Sequence, residues 1–231
     1  MDGVSFGSLL AAYEFDFNPV WEGIPRLLQG LWVTVALTVI VMVLSLPLGL
    51  AVAFARLNRF RVVRAVAYAY TELFRTTPLL VQIFFTFFAL PVLIGINFDS
   101  FTAAVVAFTL NVGAFLAEIF RGSINSIDRG QRESAVSTGM SERQAMRRVV
   151  LPQAVRRAIP LMAAIWVSLF KDTSLVSLVG LKDLSGEGAT IYRESFRQIE
   201  VMAVLAIMYF ALTYPQAIII NKLFEKYRVR E

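Results

Sequence analysis

The chain has 231 residues, 57% hydrophobic and only 17% charged, with a mean hydropathy of +0.65, which is too apolar for an ordinary soluble domain. It contains neither cysteine nor histidine, which excludes disulfides, thiolate nucleophiles, haem attachment and the usual zinc ligands. The net charge of +5 and isoelectric point near 9.7 follow from where the basic residues fall relative to a membrane, and call for no nucleic-acid partner.

The N-terminal sequence MDGVSFGSLLAAYEFDF is acidic and lacks a basic n-region, so a cleavable signal peptide is not expected. Charge-free runs then mark membrane spans at residues 27–55, 76–98, 101–117, 158–170 and 201–221; a helical crossing needs about 20 apolar residues. The first run is long enough to tilt, and Pro47 with Gly49 is expected to kink it. Next, RLNRFRVVR at 56–64 carries four arginines and no acid. Residues 65–91 are too long for one simple span, about 40 Å as continuous helix. The RTTP sequence at 75–78 is expected to break them. A short helix should end at Phe74, and a second should carry Pro78 in its first turn, where proline is tolerated. Irregular backbone at membrane depth must be buried in protein or line a watery cavity. Residues 75–78 are therefore either a pathway lining or the joint between an interfacial helix and an ordinary span. The fourth run is short, and must continue past Lys171 and Asp172 to about Leu181 to cross.

Between the third and fourth spans lies QRESAVSTGMSERQAMRRVVLPQAVRR, residues 131–157, far longer than a turn requires. Asp128 with Gln131, and Ser141 with Gln144, resemble capping boxes. They predict helices over about 129–138 and 142–150, with a turn at Gly139, and Pro152 should end the second at Leu151. This knuckle could dock in a groove of a protein partner, with Ala135 and Val136 as small apolar anchors, or lie on lipid headgroups.

Ionisable groups inside spans cost at least about 2.5–3.5 kcal/mol each by insertion scales, so each needs an account. Glu72 and Arg75 share a helical face, as do Glu118 and Arg121 near the end of span three. The Glu118–Arg121 set reads as a structural pair; Glu72–Arg75 reads equally as a lock or a substrate contact. Lys171 and Asp172 are adjacent and cannot face each other on a helix, so they need separate partners. With Thr173 and Ser174 they form a polar set deep in span four, and together with Glu72, Arg75 and Thr76 they are candidates for a translocation pathway.

Sixteen basic residues lie on the side of the long loop against four on the other. Basic residues favour the cytoplasmic side, which puts the N-terminus outside, the C-terminus inside, and makes the span number odd. The expected fold is all-α, one polytopic membrane domain of five transmembrane helices.

Glu133, Ser134, Ala135, Gly139, Leu151 and Pro152 carry a family resemblance. Their spacing is similar to the EAA loop of ABC importer permeases: EAA, three residues, G, nine residues, I, any residue, LP. Ser134 replaces the second alanine and Val149 the isoleucine. ELFRTTPLLVQ at 72–82, NVGAFLAEIFRGSINSI at 111–127 and KDTSLVSLVGLKDL at 171–184 resemble stretches of the polar amino acid subfamily. YEFDF and DTSLV are similar to its glutamate/aspartate branch.

The resemblance implies a type I permease core whose residues 128–152 hold a coupling helix. Its partners would be an ABC ATPase dimer, a second permease of the same or a related sequence, an extracytoplasmic solute-binding protein, membrane lipid and an amino acid substrate, with glutamate, aspartate or glutamine as cargo. The chain has no GxxxxGK[ST] phosphate loop, so it is not expected to be an enzyme or to hold a cofactor; ATP would be used by the partner. The alternative is an ion-coupled secondary transporter using Glu72, Glu118 or Asp172 as proton carriers, which would want a larger chain or inverted repeats.

Overall fold

The computed structural model describes residues 13–227. Most of the segment relevant to a signal peptide, and Arg228 and Arg230 of the basic tail, lie outside that range. The regular structure among the described residues is entirely helical. Four helices are long and apolar enough to cross a bilayer, and a fifth span results if one bent pair is counted together. The all-α, five-span expectation therefore holds.

Helix α1, Asn18–Arg56, has 39 residues, about 58 Å at 1.5 Å per residue. It begins well before the charge-free run, with Pro19 in its first turn where no N–H is needed. Helix α2, Arg61–Thr76, and helix α3, Leu79–Ile94, form the bent pair, at 107°. Helix α4, Ser100–Asn125, is capped by Asp99, whose carboxylate accepts from the N–H groups of Phe101 and Thr102. The Thr102 hydroxyl, aided by those N–H groups, holds the Asp99 carboxyl below its usual range. Short helix α5, Arg129–Ser137, precedes α6, Glu142–Val179, which is followed by α7, Leu184–Ser195, and α8, Gln198–Tyr227. Helix α7 is too short to span, and lies in a stretch the sequence reading treated only as a loop between spans.

Helices α1 and α4 form the central pair. Leu37, Val41 and Met42 of α1 pack with Phe108, Val112 and Leu116 of α4, joined by Ile83, Leu169 and Val176 from α3 and α6. Gly49 permits this closeness: a Cβ there would lie 2.7 Å from Leu116 Cβ and 3.0 Å from the Gly113 carbonyl oxygen. A second cluster joins Val20 and Leu27 of α1 to Leu184 and Ile191 of α7 and to Val201 and Leu205 of α8.

The expectation that Pro152 ends a helix is overturned. The helix continues through it to Val179, because Met146–Val150 form a widened π turn in which the Leu151 N–H bonds the Met146 carbonyl. In an ordinary α-helix the proline ring would clash with the carbonyl four residues back; the wider turn moves that carbonyl aside. The same device recurs at Phe85–Ala89, where the Leu90 N–H bonds the Phe85 carbonyl just before Pro91.

Candidate functional site

The knuckle between α4 and α6 is built by local signals. Asp128 caps α5 by accepting from the Gly130 N–H at 2.6 Å. The reciprocal capping box expected with Gln131 does not form; the Gln131 side chain instead accepts from Gln153 at 3.5 Å, because Gln153 on α6 lies within reach. At the end of α5, Gly139 has φ +90°. The Met140 N–H reaches the Ala135 carbonyl at 3.2 Å and the Gly139 N–H that of Val136 at 2.9 Å, a Schellman close that needs glycine at this position. Ser141 and Gln144 then form the expected capping box, at 2.9 and 3.3 Å. Arg132 and Glu142 bridge the two helices at 2.7 Å, a solvent-exposed pair that adds little stability.

The residues of the loop motif divide between two faces. Glu133, Ser134, Gly139 and Pro152 are exposed. Leu151 leans on Ile124, Ile127, Val150 and Ala154. Ala135 is buried within the chain and Val136 is 38% exposed. Ala135 as an anchor into a partner is therefore corrected: its side chain helps to close the knuckle itself. An open groove of about 1080 Å³ runs along this surface, lined by Glu133, Val136, Glu142 and Met146 among others. The knuckle is held to the bundle by Arg157, whose guanidinium donates to the carbonyl and hydroxyl of Ser126 at 2.5 and 2.9 Å.

Among the charges that the sequence places in the spans, Glu72 and Arg75 lie 4.0 Å apart, with the Arg75 guanidinium 5.6 Å from the Phe115 ring centre. The Thr76 hydroxyl bonds the Glu72 carbonyl. A cavity of about 280 Å³ lined by Arg75, Phe115, Glu118 and Leu161 brings one member of each sequence pair, Arg75 and Glu118, to one place. Glu118 belongs to more than a pair. It meets Arg121 at 2.7 Å and Arg56 at 3.2 Å, and Arg56 also donates to the Thr71 hydroxyl and stacks 4.6 Å over Tyr68. The carboxylate thus ties α1, α2 and α4 together. On α6, Lys171 is exposed and joins no ion pair among the described residues. Asp172 accepts from the Ser168 hydroxyl at 3.4 Å. Thr173 is buried with its hydroxyl on the Phe170 carbonyl. Ser174 is half-buried, its carbonyl taken by Ser177. The Lys171–Ser174 set does not converge with the Arg75 cavity.

Sequence reasoning missed the group that makes the α2–α3 break affordable. The Phe74 carbonyl would bond residue 78 in a continuing helix, but Pro78 has no N–H. Asn111 donates to this carbonyl at 2.8 Å and Gln82 at 2.9 Å. The Gln82 amide also reaches the Thr77 carbonyl and hydroxyl at 3.0 and 2.8 Å, and accepts from Asn111 at 3.1 Å. Two amides inside apolar runs were the available signal, since buried polar groups in lipid need partners.

Residues 45–229 match the protein family described as "Binding-protein-dependent transport system inner membrane component". The chain is similar to the glutamine transport system permease protein of Escherichia coli (strain K12), 35% identical over 217 residues that cover 94% of this chain and 99% of that one. It is also similar to the glutamate/aspartate import permease protein of Escherichia coli O6:H1, 33% identical over 218 residues covering 91% and 97%. Shorter matches to two Bacillus subtilis permeases span only 40% and 49% of those relatives. Among solved structures, a crystal structure of an amino acid ABC transporter with histidines superposes with a TM-score of 0.87 at 32% identity, covering 94% of this chain and all of that one.

Proposed function

The chain belongs to the binding-protein-dependent transport system inner membrane components, and from that premise we propose that it is the permease subunit of an ATP-driven polar amino acid importer, carrying glutamine, glutamate or aspartate. Its N-terminus lies outside and its C-terminus in the cytoplasm, as the basic-residue bias favours. A separate ABC ATPase dimer binds the knuckle, a second permease completes the pathway, and an external solute-binding protein delivers the substrate. ATP is used by that ATPase, and no cofactor resides in this chain.

The observation that carries this reading is the exposed knuckle at residues 128–152, fused without a break to a span. Glu133 stands on its outer surface as the charged docking contact, with Ser134, Gly139 and Pro152 beside it, while Ala135 and Leu151 hold its shape from within. Helix α6 runs 38 residues from Glu142 to Val179, so a displacement at the knuckle reaches Lys171 and Asp172 through continuous helix. ATP and substrate move such an equilibrium only by binding its two states differently. Arg75 or Lys171 would meet a substrate carboxylate, and Glu72 or Asp172 an ammonium, with Thr76, Thr173 and Ser174 close by in sequence. Glu118 and Arg121 serve the architecture.

The test is uptake into proteoliposomes holding this chain, its partner permease, the ATPase and the binding protein, with ATP inside and radiolabelled glutamine, glutamate and aspartate supplied in turn. ATP-dependent accumulation of one or more is expected. A complex that hydrolyses ATP yet accumulates none of the three would overturn the substrate class, and an ATPase that fails to bind the chain would overturn the docking role of the knuckle.

A further inference from the structure

Beside the end of the charge-free run of α1, a groove of about 580 Å³ is lined by Arg56, Arg61, Arg64, Tyr68, Arg121 and Asn125 without a single acid. Glu118 partners Arg56 and Arg121. Arg61 and Arg64 take part in no ion pair and no side-chain hydrogen bond among the described residues, so four guanidinium groups share one carboxylate. Their position sharpens the imbalance. Both sit in the first turn of α2, which carries no acidic residue and no side-chain cap, and a helix N-terminus is already the positive end of its dipole. Such an arrangement attracts anions.

The neighbouring surface identifies the anion. Leu57 and Tyr68, which line the same groove, are 38% and 53% exposed, and the charge-free run of α1 ends at Ala55, next to Arg56, so the basic groove opens where an apolar span ends. Arg61, Arg64, Ala65 and Tyr68 follow one another at helical spacing on the groove side. Arginine forks match phosphate oxygens, and Leu57 with the Tyr68 ring offers apolar contact to the acyl chains next to the headgroup. We propose that this groove binds the phosphate headgroup of an anionic phospholipid, with Arg61 and Arg64 as its main contacts and the acyl chains passing Leu57 and Tyr68. Basic pockets between membrane helices take such headgroups by charge complementarity.

The test uses the full chain purified in detergent and followed by native mass spectrometry, titrated separately with phosphatidylglycerol and phosphatidylcholine. Replacing Arg61→Gln together with Arg64→Gln should weaken phosphatidylglycerol binding roughly tenfold or more, since two interfacial charges are lost, and leave phosphatidylcholine binding unchanged. The exposed pair Arg143→Gln and Arg147→Gln on the knuckle should change neither. Equal phosphatidylglycerol affinity in the Arg61/Arg64 variant overturns the proposal. So does displacement of the lipid by millimolar inorganic phosphate, which would make this an aqueous phosphate site. Circular dichroism of the variants separates a lost site from a lost fold. The result is independent of transport, so it stands or falls apart from the importer reading.

Discussion

Replacing Gln82 and Asn111 singly and together tests whether the α2–α3 break is held by two amides. Gln82→Met keeps the side-chain volume but removes the donor to the Thr77 carbonyl and hydroxyl, while the Phe74 carbonyl retains Asn111 at 2.8 Å. Asn111→Leu leaves Phe74 with Gln82 at 2.9 Å. Only the double variant strips that carbonyl of both donors, and Pro78 supplies none. Each single change should cost about 1 kcal/mol. An orphaned buried carbonyl adds about 1–3 kcal/mol in the double variant. Against this, the direct Gln82–Asn111 bond at 3.1 Å is already lost in either single variant, which subtracts about 0.6 kcal/mol, the average for hydrogen bonds between membrane helices. The orphaned carbonyl outweighs it, so the coupling should be destabilising by about 1 kcal/mol. Unfolding by SDS in mixed micelles, followed by circular dichroism on the full chain, measures all four stabilities. A coupling of zero or below would refute the capping argument, and an unchanged Gln82→Met would remove its premise.

Three further outcomes are expected. Gly49→Ala should destabilise by about 1–3 kcal/mol through overpacking, because its methyl would meet Leu116 Cβ at 2.7 Å; Gly122→Ala, with nothing within 4 Å, is the control, and equal stability of the two in the same SDS titration would contradict the close contact. Gly139→Ala should cost about 1–2 kcal/mol from its left-handed φ of +90°, visible as faster exchange of the amides at positions 139 and 140 than in the unsubstituted chain; unchanged exchange would count against the Schellman close. Glu133→Lys should leave the chain folded but weaken association with the ATPase subunit at least tenfold in a pull-down titration, and full association would dismiss Glu133 as a docking contact.

Much of this molecule was legible in its sequence because lipid narrows the choices. Charge-free runs located the spans, the RTTP sequence placed the α2–α3 break within two residues, and Ser141 with Gln144 and Gly139 fixed the start and end of the knuckle helices. What escaped depended on partners distant in sequence. Arg56 counted only as a topology signal, yet it meets Glu118 and Thr71 on two other helices. Gln82 and Asn111 are 29 residues apart, and no local pattern joins them. Helix α7 was overlooked because it packs against the long N-terminal extension of α1, a contact that periodicity within either segment does not reveal. The Lys171–Ser174 set was read as one polar unit, but side chains on one turn point in different directions, and Thr173 faces the core.

The π turn at Met146–Val150 has a consequence for chain length. A widened turn absorbs one extra residue without rotating the helix on either side of it. Ala145 and Val150 are five apart and both buried, and Ala154 and Ala158 follow at the usual interval of four. A chain one residue shorter in this stretch would aim the knuckle the same way as plain α-helix, but Pro152 clashes with that geometry, so a one-residue deletion should be tolerated only together with Pro152→Ala. At unchanged length, reversion to α geometry would instead swing Glu133 about 100° around the axis of α6. Pro152 opposes that reversion, so the azimuth at which the knuckle meets its partner is set by the hydrogen-bond register of one turn.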